Sequence, residues 1–286
     1  MPAEITPLTP ADNDEAGRIL FEAFKDIADK HGFPPEFQSV HRARRAIAFL
    51  GSIEQSATFA SRAPWLQGLT VMATLDEVAG IGPVAVDIGS QGLGIGRSLM
   101  VAALDEAERR GHTKVRLIQD AFNVTSLSLY ASLGFQVVEP MVTVRSPAIV
   151  EPIAGLKQAG AGDAASLGAL YQRLTSIQRD AEIEMLLERA GGLLIERDGE
   201  IRGFVLGFSP DAITFGAAED NATLLDLAGA WAAGAAPAAQ WNLPTRHPGL
   251  LEDAIKAGAR VIKPGNLMVL GPYEPPSAPH MISYWY

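Results

Sequence analysis

Blocks of apolar and polar positions follow one another along the chain in patterns that predict strands and helices in turn. Residues 81–88 form a β-branched apolar run of strand length. In residues 99–107 apolar positions recur at helical spacing, which predicts an amphipathic helix that ends at Gly111. Residues 114–119 alternate as a strand does, and residues 123–133 form a further short helix. This order of strands and helices indicates an α/β fold class.

Two more helices are predicted nearer the N-terminus. Leu20, Phe21 and Phe24 share one face of the first. Residues 39–50 form the second, whose basic side chains are either a solvated face or the lip of a binding cleft. These side chains are His41, Arg42, Arg44 and Arg45. The stretch that follows, residues 57–75, shows no clear hairpin pattern.

Composition narrows the class of protein. The 286 residues are 48% hydrophobic, enough for two domains, and the formal net charge of −10 disfavours nucleic acid and anionic lipid as partners. The chain has no cysteine, which excludes disulfides and thiolate zinc sites, and its histidines show no ligand spacing, so no metal site is predicted. With no secretory signal and no long apolar window, a soluble cytoplasmic protein is expected.

A glycine-rich stretch stands between the predicted strand at 81–88 and the helix after it. Residues 87–100 read DIGSQGLGIGRSLM. Such a turn aims unpaired N–H groups and the positive end of the helix dipole at one small volume, which suits a phosphate. The dinucleotide fingerprint would need a small residue where Arg97 stands, and the nucleotide P-loop would need Lys and then Ser or Thr after its last glycine. A purely structural turn is a further alternative.

The pattern that fits is Gln91-Gly92-Leu93-Gly94-Ile95-Gly96. It resembles the pyrophosphate loop, Gln/Arg-x-x-Gly-x-Gly/Ala, of the GNAT superfamily of acyl-CoA-dependent N-acyltransferases. Downstream, residues 123–135 (NVTSLSLYASLGF) are similar to the family's next helix, in which an asparagine contacts the cofactor and a tyrosine stands near the thiol. The resemblance covers residues 4–145.

The resemblance implies that the chain binds acetyl-CoA as a co-substrate. It implies transfer of the acetyl group to a primary amine of a small molecule or peptide, by direct attack on the thioester. The implied cofactor contacts are Val84, Val86, Gln91, Gly92, Leu93, Gly94, Ile95, Gly96, Arg97, Asn123, Ser126 and Tyr130. A non-catalytic acyl-CoA sensor, or a protein-binding module on the same fold, is the alternative.

Catalytic roles follow from the same resemblance. The backbone N–H of Val86 is the predicted donor to the oxyanion. Tyr130 is the predicted acid, because a phenol can donate while it stays protonated at neutral pH; a core aromatic with a solvated tip is the alternative. Asp120, Asp76 and Glu77 are the nearest candidates for a base by analogy, and each is also explained as an ordinary loop acid.

The second half of the chain repeats features of the first. Residues 131–144 and 255–270 share a glycine, an apolar pair and a proline in register. Residues 192–208 predict a hairpin turned at Asp198 and Gly199. The sequence therefore predicts tandem GNAT-like domains, each a mixed, mostly antiparallel twisted sheet flanked by helices.

Domain boundaries follow from this repeat. Residues 1–148 are the predicted catalytic domain, residues 149–272 a shortened copy and residues 273–286 a docking tail. In the second copy, Glu219 and Asp220 stand where the phosphate loop would be. Acids cap a helix N-terminus but repel a pyrophosphate, so this copy is expected not to bind the cofactor.

The tail ends in apolar residues and is therefore expected to dock. One destination is the groove between the two copies, with Trp285 buried there. The other follows from some GNAT-like enzymes, in which the terminal carboxylate acts as base; here it would belong to Tyr286. The oligomeric state stays open.

Overall fold

The computed structural model describes residues 4–209, 212–234 and 239–283, which form two compact units. Unit 1 holds the described residues up to Gln136 together with Met268–Pro272. Unit 2 holds Val137–Leu267 together with the described residues from Tyr273 onward. Each unit thus takes in a segment from the other half of the sequence.

Unit 1 is a sheet flanked by helices. Its strands are β1 (Glu4–Thr6), β2 (Ser56–Arg62), β3 (Leu66–Ala73), β4 (Val78–Val86) and β5 (Lys114–Asp120). Its helices are α1 (Asn13–His31), α2 (Val40–Gly51), α3 (Ile95–Arg109) and α4 (Val124–Ser132). The strands lie in sequence order, and all pair antiparallel except β4 and β5, which run parallel.

The remaining elements complete unit 2, with the first residue of β6 and the end of β12 counted in unit 1. The strands are β6 (Gln136–Arg145), β7 (Leu156–Ala159), β8 (Gly192–Arg197), β9 (Glu200–Leu206), β10 (Phe215–Ala218), β11 (Gln240–Pro244), β12 (Arg260–Leu270) and β13 (His280–Met281). The helices are α5 (Ala164–Thr175), α6 (Asp180–Arg189), α7 (Asn221–Ala233) and α8 (Leu250–Lys256). Five strands form an antiparallel sheet in the order β13-β10-β9-β8-β7.

The two halves of the chain carry the same order of elements. The first half runs β1-α1-α2-β2-β3-β4-α3-β5-α4-β6, and the second runs β7-α5-α6-β8-β9-β10-α7-β11-α8-β12. The repeated sequence falls on α4 and β6 in the first half and on α8 and β12 in the second. The predicted fold class, a mixed and mostly antiparallel sheet flanked by helices, is confirmed.

The domain boundaries differ from the predicted 1–148, 149–272 and 273–286. Residues 137–148 belong to unit 2, because β6 pairs antiparallel with β11 from Met141 to Arg145. Met268–Pro272 belong to unit 1, and Met268 is fully buried in its core. The described residues of the tail belong to unit 2. Pairing between strands that are distant in sequence sets these boundaries, so the repeat alone did not show them.

The core of unit 1 holds its central strands and α3 together. Met100, Ala103 and Ala107 of α3 are buried as their helical spacing predicts. They pack in one cluster with residues of β3, β4, β5 and α4, which include Leu117 and Tyr130.

Residues 57–75 do form a hairpin, contrary to the sequence analysis. β2 and β3 pair antiparallel from Ser56 and Ala73 to Arg62 and Leu66. Almost every position of β3 is buried, so its side chains lack the apolar and polar alternation of a half-exposed strand. A strand covered on both faces carries no hairpin signal of that kind.

Candidate active site

The strands β4 and β5 separate along their length. They pair only at their beginnings, Val78–Gly80 with Lys114–Arg116. Between Ile81 and Val84, β4 carries one more residue than β3 opposite it, which is a β-bulge. Beyond the bulge, β3 is the one strand among the described residues that pairs with β4, so within the described part of the chain the other edge of β4 is open.

The backbone of Val86 lies on that open edge. Asp87 N donates to Gln67 O at 2.8 Å, towards β3. Successive residues of a strand point their N–H groups to opposite sides, so the N–H and C=O of Val86 face away from β3. Gln91 Nε2 donates to Val86 O at 3.3 Å. The structure therefore presents the Val86 N–H at an unpaired strand edge, as an oxyanion donor requires.

The glycine loop, residues 91–96, leads directly from this edge into α3. Gly92 has φ +80° and Gly94 has φ +82°, the left-handed region that favours glycine. Apart from their chain neighbours, no atom of the described residues lies within 4 Å of the point where a Cβ would stand on either glycine. Gly94 is the N-cap of α3, so the next N–H groups have no carbonyl one turn earlier and point into this free space. This geometry suits an anion, and the contacts predicted for the loop residues stay a prediction.

Exposed apolar side chains accompany the glycine loop. Leu93 is 70% exposed, Val124 at the first turn of α4 is 63% exposed, and Ile88 is 46% exposed. Covering apolar side chains of this kind with a ligand is favourable, because it removes apolar surface from water. Arg97 donates to Ser132 Oγ at 2.8 Å and so links α3 to α4.

The start of α4 is held by its own side chains. Asn123 Oδ1 accepts from Ser126 N at 3.1 Å, and Ser126 Oγ donates to Asn123 O at 3.0 Å. The buried amide of Gln119 donates to Asn123 O at 2.8 Å. Asn123 and Ser126 thus cap the helix, and their cofactor contacts stay a prediction. Gln119 was not singled out from sequence, because a glutamine inside a strand carries no motif.

Tyr130 and Asp120 act on each other electrostatically. Tyr130 is 8% exposed and packs on Phe135, with ring centroids 6.2 Å apart. Burial, and then the charge of Asp120, raises the pKa of the Tyr130 phenol well above its usual range. The phenol is therefore protonated at neutral pH, the state that a proton donor needs.

Asp76 and Glu77 are wrong as candidates for a base near Val86. They precede β4, which is nine residues long. At about 3.3 Å per residue, Val86 is therefore roughly 30 Å away along the strand. Glu77 moreover pairs with Lys114 Nζ at 3.1 Å. Among the carboxylates named from sequence that belong to the described residues, only Asp120 acts electrostatically on the Tyr130 phenol.

The basic helix α2 offers part of its charge to solvent. Arg44 Nη1 pairs with Asp14 Oδ1 at 2.5 Å, while His41, Arg42 and Arg45 are exposed. No ligand contact is assigned to them, and a cleft lip stays a prediction.

A comparison with known protein families finds a match for the segment that contains the glycine loop. Residues 66–135 match the model of the acetyltransferase (GNAT) family. The matched segment runs from β3 through the glycine loop, α3, β5 and α4. By this match, residues 66–135 of unit 1 are similar to the GNAT acetyltransferase family. GNAT acetyltransferases take their acetyl group from acetyl-CoA.

Relatives agree over different shares of the chain. Mycothiol acetyltransferase of Renibacterium salmoninarum is 41% identical over 58 residues, which span 20% of this chain and only 16% of that protein. A protein from Pyrococcus horikoshii that is assigned as an acetyltransferase superposes with a TM-score of 0.80 at 16% identity, covering 100% of this chain and 96% of that one. A GCN5-related N-acetyltransferase from Sphaerobacter thermophilus gives a TM-score of 0.64 at 13% identity, covering 96% and 98%. At these identities the two structures show the fold alone.

Unit 2 repeats the GNAT order of elements but differs where the glycine loop would be. Its β10 leads into α7 through Glu219 and Asp220. Asp220 Oδ1 accepts from Thr223 N at 2.8 Å, so this acid caps the helix as predicted. Glu219 pairs with Arg173 at 2.8 Å. A carboxylate thus stands at the helix N-terminus, where the glycine loop of unit 1 leaves free N–H groups.

The tail of the chain fills the strand gap in unit 2. The short strand β13 pairs with β10, Met281 opposite Gly216, while Ile282 N donates to Asn242 O of β11 at 3.0 Å. Met281 and Ile282 are 0% and 1% exposed. In unit 2 the tail therefore lies between the strands that correspond to β4 and β5. Sequence reasoning missed this strand because two residues beside several prolines carry no periodic signal.

Truncating Met281 to alanine tests this packing. We expect Met281→Ala to lower the free energy of unfolding by about 2–5 kcal/mol, because it leaves a cavity in the core of unit 2. Val150→Ala, at a side chain that is 80% exposed, is the control and leaves stability within about 0.5 kcal/mol. Denaturant unfolding of both variants measures the difference, and equal stabilities would contradict the observed burial.

The described residues contain neither a candidate metal cluster nor a candidate membrane-spanning helix. Residues 4–209, 212–234 and 239–283 contain no group of three or more His, Cys, Asp or Glu that could hold a metal ion. Within the same described part of the chain, no helix combines the length and the apolar content that a membrane span requires. Trp285 and the terminal carboxylate of Tyr286, which the sequence analysis assigned to docking or to catalysis, lie outside the described residues.

Proposed function

We propose that unit 1 transfers an acetyl group from acetyl-CoA to a primary amine of a small molecule or peptide. The observation that carries this proposal is the position of the open edge of β4 at Val86, directly before the glycine loop. One extended ligand with a pyrophosphate at one end and a thioester at the other matches these two features together. The mycothiol acetyltransferase matches only 20% of this chain and 16% of its own length, so that match does not identify the acceptor.

The residues of unit 1 fit acetyl-CoA chemically. Gly92 and Gly94 leave room for phosphate oxygens at the N-terminus of α3. The backbone groups of Val84 and Val86 suit the amides and the thioester carbonyl, and exposed Leu93 suits the apolar parts. The remaining implied contacts lie on the loop, on the first turn of α3, and on α4 or at its N-cap. They are Gln91, Ile95, Gly96, Arg97, Asn123, Ser126 and Tyr130.

The reaction is an acyl transfer in one displacement. The amine attacks the thioester carbonyl as its neutral form, a carbon–nitrogen bond forms, and the oxyanion accepts a hydrogen bond from Val86 N–H. When the carbon–sulfur bond breaks, Tyr130 protonates the leaving thiolate. Asp120, whose charge acts on the Tyr130 phenol, accepts the proton that the attacking amine loses, and that proton then restores the phenol. Protons and charge then balance over one cycle.

A panel of primary amines tests the function. The assay measures free thiol released from acetyl-CoA, with a mass spectrum of the amine product. We expect at least one amine to give release above the rate without enzyme, and acetylation of that amine. Binding of acetyl-CoA with no release for any amine would contradict the enzyme and support the non-catalytic acyl-CoA sensor instead.

The number of cofactor sites is a separate prediction. We expect calorimetric titration with acetyl-CoA to give one site per chain, because the tail and Asp220 occupy the corresponding places in unit 2. Two equivalent sites per chain would contradict the prediction that unit 2 does not bind the cofactor.

A further inference from the structure

A single arginine connects α1 to the residue that follows Val86. Arg18 Nη2 donates to Asp87 Oδ1 at 2.8 Å. The same guanidinium binds Glu15, with Nη2 and Oε1 2.8 Å apart, and also binds Glu22. Hydrogen bonding to Glu15, and then to Asp87, raises the pKa of Arg18 further above its usual range. Arg18 therefore stays charged and is oriented by carboxylates on α1.

Asp87 is fixed on three sides at the entrance of the glycine loop. Its N–H donates to Gln67 O of β3 at 2.8 Å. Its Oδ2 accepts from Gly89 N at 3.1 Å, which closes the turn that begins at Ile88. Its Oδ1 accepts from Arg18. The side chain of Asp87 thus sets the direction in which the chain leaves β4 for the loop.

An aspartate at this place also carries a charge that matters for an anion. It lies five residues before Gly92 and directly after Val86. A bare carboxylate there would repel the phosphates that the loop is built to hold. The Arg18 guanidinium, which Glu15 and Glu22 also bind, places a positive charge against this carboxylate and so weakens its repulsion.

We propose that Arg18 is a positioning residue for acetyl-CoA binding, acting through Asp87. It holds the Asp87 side chain in the rotamer that closes the turn at Gly89, and it partly offsets the charge of that carboxylate beside the anion site. The inference rests on the proposed function. It also ties the helix α1 to the loop that holds the pyrophosphate, across 69 positions of sequence.

The exposure of the pair decides which measurement shows the effect. The side chains of Arg18 and Asp87 are 36% and 27% exposed. Ion pairs that are this accessible to solvent contribute little to folding stability. The consequence of losing Arg18 therefore falls on the affinity for acetyl-CoA, and the thermal midpoint changes little.

A double-mutant cycle tests the proposal. Calorimetry measures the Kd of acetyl-CoA for the wild type, Arg18→Gln, Asp87→Asn and the double variant. We expect Arg18→Gln to weaken binding about tenfold when Asp87 is present, and less than about threefold in the Asp87→Asn background, because the carboxylate that directly precedes the loop is then gone and only the more distant Glu15 and Glu22 on α1 lose their partner. Asn at 87 keeps an oxygen for Gly89 N–H.

Controls separate this role from a structural one and from the proposed function itself. Lys25→Gln breaks an exposed pair with Asp29 on the same helix and leaves the Kd unchanged. Added salt reduces the difference in the Kd of acetyl-CoA between the wild type and Arg18→Gln, because it screens the charges. Equal losses for Arg18→Gln in both backgrounds, or no loss at all, would overturn the role of Arg18. A wild-type protein that does not bind acetyl-CoA would instead overturn the proposed function.

Discussion

Gly94→Glu is expected to abolish acetyl-CoA binding. The residue has φ +82° and caps α3, and beyond its chain neighbours no atom of the part of the chain that the structure describes lies within 4 Å of its Cβ position. The new side chain therefore enters the space where phosphate oxygens would approach the backbone, and its carboxylate adds repulsion. Calorimetric titration with acetyl-CoA measures the loss.

The matched control for this variant is at the other end of α3. Gly111 has φ +83° and equally open surroundings, so Gly111→Glu brings the same backbone strain, about 1–2 kcal/mol, away from the loop. We expect Gly111→Glu to bind acetyl-CoA as the wild type does. An unchanged Kd for Gly94→Glu would remove the glycine loop from the account.

Tyr130→Phe is expected to lower turnover by about 10 to 10⁴ fold with little change in the Kd of acetyl-CoA. Phenylalanine keeps the ring in the core beside Phe135 and deletes only the proton donor. Steady-state thiol release and calorimetry on the same preparation give the two quantities. Loss of folding stability with normal specific activity would instead support the interpretation of Tyr130 as a core aromatic residue.

The pH dependence provides a second check on Tyr130. Because burial and Asp120 raise its pKa, the phenol holds its proton through pH 10, where an ordinary tyrosine is half ionised. We therefore expect no loss of rate from this group as the pH rises towards 10. A loss centred at the ordinary value in wild type, absent in Tyr130→Phe, would contradict the observed environment.

The sequence predicted the part of the fold in which local signals agree. From residue 81 to residue 133, the apolar run, the glycines and the helical spacing all indicate the same elements, and the structure confirms β4, α3, β5 and α4 there. The predicted turn at Asp198 and Gly199 is also present, with both residues at positive φ. These features depend on neighbours in sequence.

Long-range pairing explains what the sequence did not show. The strand β3 lacks alternation because it is buried on both faces, and β13 is too short to carry a period. Met268 joins the core of unit 1 from the far end of the chain. Arg18 and Asp87 are ordinary charged residues until the fold brings them together. None of these contacts has a local signature.

The location of the cofactor site is the claim that one measurement tests most directly. An amide NMR spectrum of the nitrogen-15-labelled chain, titrated with acetyl-CoA, reports which backbone N–H groups meet the ligand. We predict the largest shifts at Val86, Gly92, Gly94 and Gly96, with the amide of Ile282 in unit 2 unchanged. Shifts confined to unit 2, or no shifts at saturating acetyl-CoA, would contradict the account.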